Sequence, residues 1–183
     1  MPNRIVIGGP MNCGKSTLAA SIYCRLKTIG VGVGLYEIDV FSDTIPCILG
    51  IKPWEQRQKR KSGNWDDPLI NLRLNDFSED KNFIVLGDLP GLIDGLLERM
   101  VRPATAAIAM GKNQESLQRM LEFFEYQRIS VILKIISLLD DNALLQISFS
   151  DILFVRNLKR KVLQNDEICQ VVNRLLTLCE YTG

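Results

Sequence analysis

The sequence predicts a three-layer α/β fold, in which a mainly parallel sheet of five to six strands lies between layers of helices. The order of the elements along the chain favours this fold. Short apolar, β-branched runs alternate along the chain with segments of helical period, and such alternation is typical of a parallel sheet covered on both faces. The chain has 183 residues, of which 46% are hydrophobic and 23% charged. These values suit a single domain with a complete hydrophobic core.

The strands are predicted first, because buried parallel strands appear as short continuous apolar runs. The runs are residues 4–8, 33–38, 83–86, 105–110, 131–136 and 151–155. Apolar residues at helical spacing predict one helix that ends at Gly30, a second near residues 117–124 and a closing helix near 168–179. Between about 41 and 80, prolines, tryptophans and a basic run interrupt the pattern. We therefore predict one domain, 1–183, with an irregular insertion or lid at about 41–80.

Charge and cysteine content exclude several functional classes. The 22 basic and 21 acidic side chains give a net charge of +1, which does not indicate direct nucleic-acid binding. The five cysteines are scattered and form no Cys-x-x-Cys pair, so neither a disulfide framework nor a zinc site is predicted. With no signal peptide and no apolar run long enough to span a bilayer, we expect a soluble cytoplasmic protein without a membrane segment.

The segment Gly9-Pro-Met-Asn-Cys-Gly-Lys-Ser16 is the strongest functional signal. It matches the pattern G-x-x-x-x-G-K-[ST] at every fixed position, between a predicted strand and a predicted helix. Glycines let backbone N–H groups surround phosphates, and the helix N-terminus favours negative charge. Lys15 is expected to reach the β- and γ-phosphates, and the Ser16 hydroxyl to coordinate Mg²⁺. The sequence therefore predicts a site for the magnesium complex of a nucleoside triphosphate.

A second motif follows the third predicted strand, in Phe83-Ile-Val-Leu-Gly-Asp88-Leu-Pro-Gly91. A carboxylate at the end of this strand is expected at the carboxyl edge of the sheet, where Asp88 would hold magnesium together with Ser16. Gly91 would offer its amide to the γ-phosphate. The predicted nucleotide-binding residues are Gly9, Pro10, Met11, Asn12, Cys13, Gly14, Lys15, Ser16, Thr17 and Gly91. Cys13 is either a small tolerated side chain or a thiol made reactive by the helix N-terminus.

The chain has no histidine, so acid–base chemistry must come from carboxylates. Asp39, just after the second predicted strand, is expected across the crevice from the phosphate loop, where it would orient or deprotonate the attacking nucleophile. We therefore predict Lys15 and Asp39 as the catalytic residues. Glu37 and Asp43 are the competing carboxylates.

These motifs resemble the P-loop NTPase superfamily. The segment Asp88-Leu-Pro-Gly91 is similar to the second switch of the branch that includes MinD-like ATPases and metallocentre chaperones, although Pro10 replaces an additional lysine common in that branch. Residues 134–140 differ from the guanine-reading motif Asn-Lys-x-Asp, so the resemblance implies ATP rather than GTP. More loosely, Gly63-Asn-Trp65 and Phe154-Val-Arg-Asn-Leu158 are similar to a P-loop domain associated with a CRISPR accessory ring nuclease.

Three functions stay open. The leading interpretation is an ATPase that cleaves the γ-phosphate of MgATP. The second is a small-molecule or nucleotide kinase, which the segment around Asp39 also resembles; Arg57 and Arg60 would then clamp the phosphates, and Trp54 and Trp65 would line an acceptor pocket or form the core of the insertion. The third is a nucleotide sensor that acts through a protein partner or a homodimer.

Overall fold

The computed structural model describes residues 3–40, 43–57, 67–91, 95–138, 151–156 and 158–180. Its strands are β1 (Asn3–Gly8), β2 (Val33–Glu37), β3 (Ile84–Asp88), β4 (Ala106–Gly111), β5 (Val131–Leu138) and β6 (Ile152–Arg156). Its helices are α1 (Lys15–Thr28), α2 (Thr44–Ile48), α3 (Asp67–Glu79), α4 (Gly95–Val101), α5 (Gln114–Tyr126) and α6 (Asp166–Glu180). All six predicted strands are present, with ends that differ by one or two residues.

The sheet has six strands in the order β2-β3-β1-β4-β5-β6, and each pairing between neighbours is parallel. The prediction of a mainly parallel sheet of five to six strands is therefore confirmed. The chain moves from β1 outward to β2, returns through β3, and then crosses to the other half of the sheet at β4. Crevices at such a reversal of strand order are where α/β folds bind ligands, at the carboxyl ends of the strands.

Two hydrophobic cores lie on the two faces of the sheet. On one face, α1 and α6 pack against alternate residues of the strands, with Ile45 of α2 at the margin. On the other face, α3, α4 and α5 cover the remaining strand residues. Alanine is depleted in strands, yet Ala107 and Ala109 of β4 are fully buried in the second core together with Phe124 of α5.

The segment at about 41–80 requires a correction, because the structure contains two helices where an irregular insertion was predicted. Pro46 is the third residue of α2 and Pro68 the second residue of α3. A proline in the first turn of a helix removes an N–H group that has no partner within the helix. The prolines therefore accompany helix starts here. Whether this segment moves as a lid stays a prediction.

Helix α3 could have been found from its apolar spacing. Ile70, Leu74 and Phe77 are buried against the sheet at helical intervals, which is the pattern of one core-facing stripe. Among the described residues, every helix is too short or too polar to cross a membrane.

Candidate functional site

The phosphate loop joins the end of β1 to the start of α1. Its backbone turns through left-handed conformations at Asn12, with φ 57°, and at Gly14, with φ 87°. Gly14 precedes the first residue of α1, so the free N–H groups at the start of this helix lie at the loop. Glycine suits this position because a left-handed φ strains residues that carry a Cβ atom.

Lys15 lies folded against the loop that precedes it. Its Nζ atom donates hydrogen bonds of 3.0 Å to the carbonyl oxygens of both Gly9 and Pro10, and the residue is only 8% exposed. The ammonium group is therefore held at the mouth of the loop, next to the N-terminus of α1. Two sources of positive charge, one from a side chain and one from the helix, converge at this point.

Ser16 and Asp88 are brought together by the pairing of β1 with β3. The Ser16 hydroxyl donates a 2.5 Å hydrogen bond to Asp88 Oδ2. Asp88 Oδ1 is buried and accepts no hydrogen bond from any described residue. A buried carboxylate oxygen without a partner is costly, and a cation would satisfy it. The pair supplies hard oxygen ligands, as Mg²⁺ requires, so these residues fit the ion that the sequence predicts for them.

The charge of Asp88 depends on its surroundings. Burial raises the pKa of its carboxyl group to about 6, although Lys15 and the hydrogen bond from Ser16 act in the opposite direction. The negative charge of Asp39 adds to the rise. Asp88 is thus ionised at neutral pH, and a bound cation would hold it so.

Asp39 lies beside Asp88 through its backbone. Its N–H group donates to the carbonyl oxygen of Asp88 at 3.2 Å, and its own carbonyl oxygen accepts from Arg73 Nη1 at 3.2 Å. The side chain is half-buried. The structure therefore places Asp39 at the same edge of the sheet as Asp88, while its catalytic role stays a prediction.

Glu37, the competing carboxylate, has a structural role. Its Oε1 atom accepts hydrogen bonds from the amides of Thr44 at 2.7 Å and Ile45 at 3.3 Å, so it holds the N-terminus of α2. Burial raises the pKa of Glu37 to about 8, and the negative charge of Asp88 also raises it. The amides of Thr44 and Ile45 and the charge of Arg73 lower this pKa, but by less. Glu37 is therefore largely protonated at neutral pH.

Gly91 is packed directly against the phosphate loop. A Cβ atom at this position would lie 2.5 Å from Met11 Cγ, 2.6 Å from its backbone nitrogen and 2.7 Å from its Cα atom. Real Cβ atoms do not approach other atoms so closely. The segment after Asp88 thus reaches the loop only because residue 91 has no side chain.

This contact predicts the behaviour of a small substitution. Gly91→Ala should lower nucleotide turnover at least tenfold, because the added methyl group pushes Met11 and the phosphate loop away from the segment that follows Asp88. Gly95→Ala is the matched control, since a Cβ atom there has no described neighbour within 4 Å. Turnover is measured with both variants at equal, saturating nucleotide. Equal rates in the two variants would show that the contact is unimportant.

The remaining predicted residues have varied positions. Met11 is 58% exposed, Thr17 is 3% exposed, and Cys13 is completely buried. Burial raises the pKa of the Cys13 thiol although Lys15 acts in the opposite direction. This favours the interpretation of a small tolerated side chain over that of a reactive thiol. Trp54 and Arg57 are described: the Arg57 guanidinium lies over the Trp54 ring at 5.8 Å. Arg60, Gly63 and Trp65 lie outside the described residues.

Two contacts were missed by sequence reasoning. Arg73 of α3 donates to the carbonyl oxygens of Glu37 and Asp39, which fixes the chain at the end of β2. Leu158, just after β6, packs against the phosphate loop, since a Cβ atom on Gly14 would lie 2.5 Å from Leu158 Cβ. Leu158 belongs to the stretch at 154–158 that the resemblance to the CRISPR-associated P-loop domain had marked.

Solved structures share this architecture. A candidate plasmid partition protein from Borrelia burgdorferi, bound to AMPPNP, superposes with a TM-score of 0.63 at 14% identity, over 99% of this chain and 100% of that one. MinD from Pyrococcus horikoshii with Mg-ADP gives 0.56 at 14% identity, over 75% and 70%. A nucleotide-binding protein from Archaeoglobus fulgidus with ADP gives 0.55 at 16% identity, over 98% and 88%.

These likenesses show that the chain has the P-loop NTPase fold, and the predicted similarity to MinD-like proteins is confirmed at the level of the fold. No family model matches the sequence, and no curated protein matches it.

Proposed function

We propose that this chain binds MgATP through residues 9–16 and hydrolyses the γ-phosphate. The observation that carries the proposal is the pairing of Ser16 with Asp88, whose second carboxylate oxygen is buried beside the phosphate loop without a described partner. A buried carboxylate oxygen without a partner destabilises the ligand-free protein, and binding of a cation together with the nucleotide would stabilise it.

ATP is the favoured nucleotide on two grounds. Residues 134–140 do not carry the guanine-reading motif, and the structural neighbours described above hold Mg-ADP, AMPPNP and ADP. The neighbours share less than a fifth of their residues with this chain, so they support the choice through the fold and not through matched side chains.

The residues of this chain would have separate roles in the reaction. Backbone N–H groups at the start of α1 and the Lys15 ammonium would bind the phosphates and stabilise the negative charge that develops on the γ-phosphate oxygens. Lys15 would exchange its bonds to Gly9 and Pro10 for bonds to phosphate. Ser16 and Asp88 would hold Mg²⁺, which neutralises phosphate charge when bound. Asp39 would orient the attacking water and accept its proton.

The test is phosphate release from MgATP by wild type, Asp39→Asn and Glu37→Gln. We expect Asp39→Asn to lower turnover by about 100-fold or more, as loss of a general base does, with nucleotide affinity unchanged within about threefold. Glu37→Gln is the matched control, because Glu37 is largely neutral and glutamine keeps an acceptor for the amides of Thr44 and Ile45. It should retain most of the wild-type rate.

Other outcomes of the same experiment are equally informative. Turnover that survives Asp39→Asn would remove the proposed role of this carboxylate. Tight MgATP binding without phosphate release would contradict hydrolysis and favour a kinase that awaits its acceptor or a sensor that awaits its partner. Absence of nucleotide binding in wild type would refute the proposal altogether.

A further inference from the structure

Strand β2 ends the described sheet on one side, and its backbone shows which groups point outward. The Gly32 carbonyl accepts from Ile84 N–H at 3.1 Å, and Ile38 N–H donates to the Asp88 carbonyl at 3.0 Å. In a parallel strand, alternate residues direct their N–H and C=O groups to opposite sides. The even-numbered residues of β2 therefore face β3, and Val33, Leu35 and Glu37 direct their polar groups away from the sheet.

Only part of this outer edge is satisfied by described residues. Arg73 Nη1 donates to the Glu37 carbonyl oxygen, so α3 covers the carboxyl end of β2. The structure assigns no hydrogen bond from any described residue to the outward N–H and C=O groups of Val33 and Leu35. An edge strand with such groups is a template for another strand.

A cavity of about 560 Å³ runs along this edge, and we call it the β2 groove. One wall is mainly apolar. It consists of Tyr23 of α1, Ile45 of α2 and Leu49, which directly follows α2. The opposite wall is polar and contains Tyr36, Arg73 and Asp80. The groove therefore lies between the two helical layers, with the outer edge of β2 at its base.

Asp80 supplies the negative charge of the polar wall, and Arg73 supplies a positive charge on the same wall. Its carboxylate accepts hydrogen bonds from the Tyr36 hydroxyl at 2.9 Å and from the Asn82 amide at 2.7 Å. It lies directly over Gly34 of β2, where a Cβ atom would be 2.0 Å from Asp80 Oδ2. No salt bridge joins Asp80 to a cation of the described residues. Arg4 stabilises the charge of Asp80 without forming a salt bridge, so a basic side chain above Gly34 would add a close partner.

We propose that the β2 groove binds an extended segment of a partner protein as an added strand, in which apolar residues alternate with polar residues and a lysine or arginine lies opposite Asp80. Successive side chains of a strand point to opposite faces. The apolar residues would pack against Tyr23 and α2, and the basic residue would lie beside Asp80. Main-chain hydrogen bonds to Val33 and Leu35 would provide the remaining affinity, as in other strand additions.

A single segment suits the groove better than the sheet of a second copy. Residues of α2 on one face and of α3 on the other both line the cavity beside β2. These helices therefore stand on either side of the strand edge, and they would obstruct the helical layers of another domain.

The probe is a labelled seven-residue peptide with blocked ends, in which valine alternates with serine except for one central lysine. We expect it to bind the full chain, and the matching peptide with glutamate in place of the central lysine to bind at least tenfold more weakly. Amide hydrogen exchange at Val33 and Leu35, followed by NMR, should slow at least tenfold when the lysine peptide is saturating. Exchange at Asp88, inside the sheet, serves as the internal reference.

Variants of the chain locate the site. Ile51→Ala removes an exposed side chain that lines the groove, and Leu72→Ala removes an exposed side chain of α3 that does not. Only the first should weaken peptide binding, and both should keep the wild-type melting temperature. Asp80→Asn should reduce the preference for lysine over glutamate at least fivefold.

Three results would overturn the proposal. The first is no detectable binding of the lysine peptide at concentrations up to about 1 mM, where even a weak interaction would be seen. The second is binding that leaves exchange at Val33 and Leu35 unchanged. The third is protection of these amides that grows with protein concentration without peptide, which would identify a second copy of the chain as the occupant.

Discussion

Replacement of Lys15 by alanine should abolish measurable MgATP hydrolysis. The structure holds the Nζ atom of Lys15 at the mouth of the phosphate loop, through hydrogen bonds to Gly9 and Pro10. Loss of one preorganised donor to a developing negative charge typically lowers kcat by about 10² to 10³. Because Lys15 would also bind the phosphates in the proposed complex, we expect nucleotide affinity to fall as well, which calorimetry with a non-hydrolysable analogue would measure.

Lys27→Ala is the control for this prediction. It removes the same charge from the same helix, about 18 Å from Lys15 at 1.5 Å per residue, and its Nζ atom lies over the Tyr23 ring at 5.7 Å. Hydrolysis by Lys27→Ala should stay within about twofold of wild type, in line with the small effects of exposed charges. Similar losses in the two variants would mean that net charge, and not the position of Lys15, determines activity.

Asp88→Asn should remove most of the magnesium dependence of nucleotide binding. At the proposed metal site, a proton and Mg²⁺ would compete for the Asp88 carboxyl group, whose pKa burial raises to about 6. The ionised form would bind the metal, so Mg²⁺ affinity should be fully present above this pKa and fall as the pH decreases through it. Between pH 7 and pH 5 the expected loss is about tenfold, since one pH unit below the pKa leaves about a tenth of the groups ionised.

The asparagine variant separates this effect from titration of the nucleotide. Asparagine has no charge to lose, so any pH dependence that remains in the variant belongs to the phosphates. Isothermal titration of Mg²⁺ into the nucleotide complex at several pH values would give both curves. If wild type and variant show the same pH profile, Asp88 is not a ligand of the metal.

The sequence predicted those parts of the candidate site whose residues lie close together in the chain. The phosphate loop is one of them, because its glycines, lysine and serine are positioned by the same backbone turn. Asp88 was predicted for a similar reason: an apolar run that stops at a carboxylate places this carboxylate at the end of a strand. In both cases the neighbouring residues determine the position of the functional group.

Other parts of the site depend on contacts between distant segments. Leu158 packs against Gly14 although 144 positions separate them, and no local pattern around either residue predicts the contact. Arg73 is one polar residue of an amphipathic helix, and its hydrogen bonds to the end of β2 depend on how α3 packs. The prolines of residues 41–80 misled the prediction, because the same residue type occurs in irregular segments and in the first turn of helices.

The central position of β1 has a consequence for how the protein is made. Asn3 pairs with Ile84 on one side, and Ile5 pairs with Ala106 on the other. At about 5–20 residues per second, the ribosome needs roughly 4–16 s to add the 81 residues between Asn3 and its first partner. During that time the apolar strand has no sheet to join, so a nascent chain must be kept from aggregation until its middle third has been synthesised.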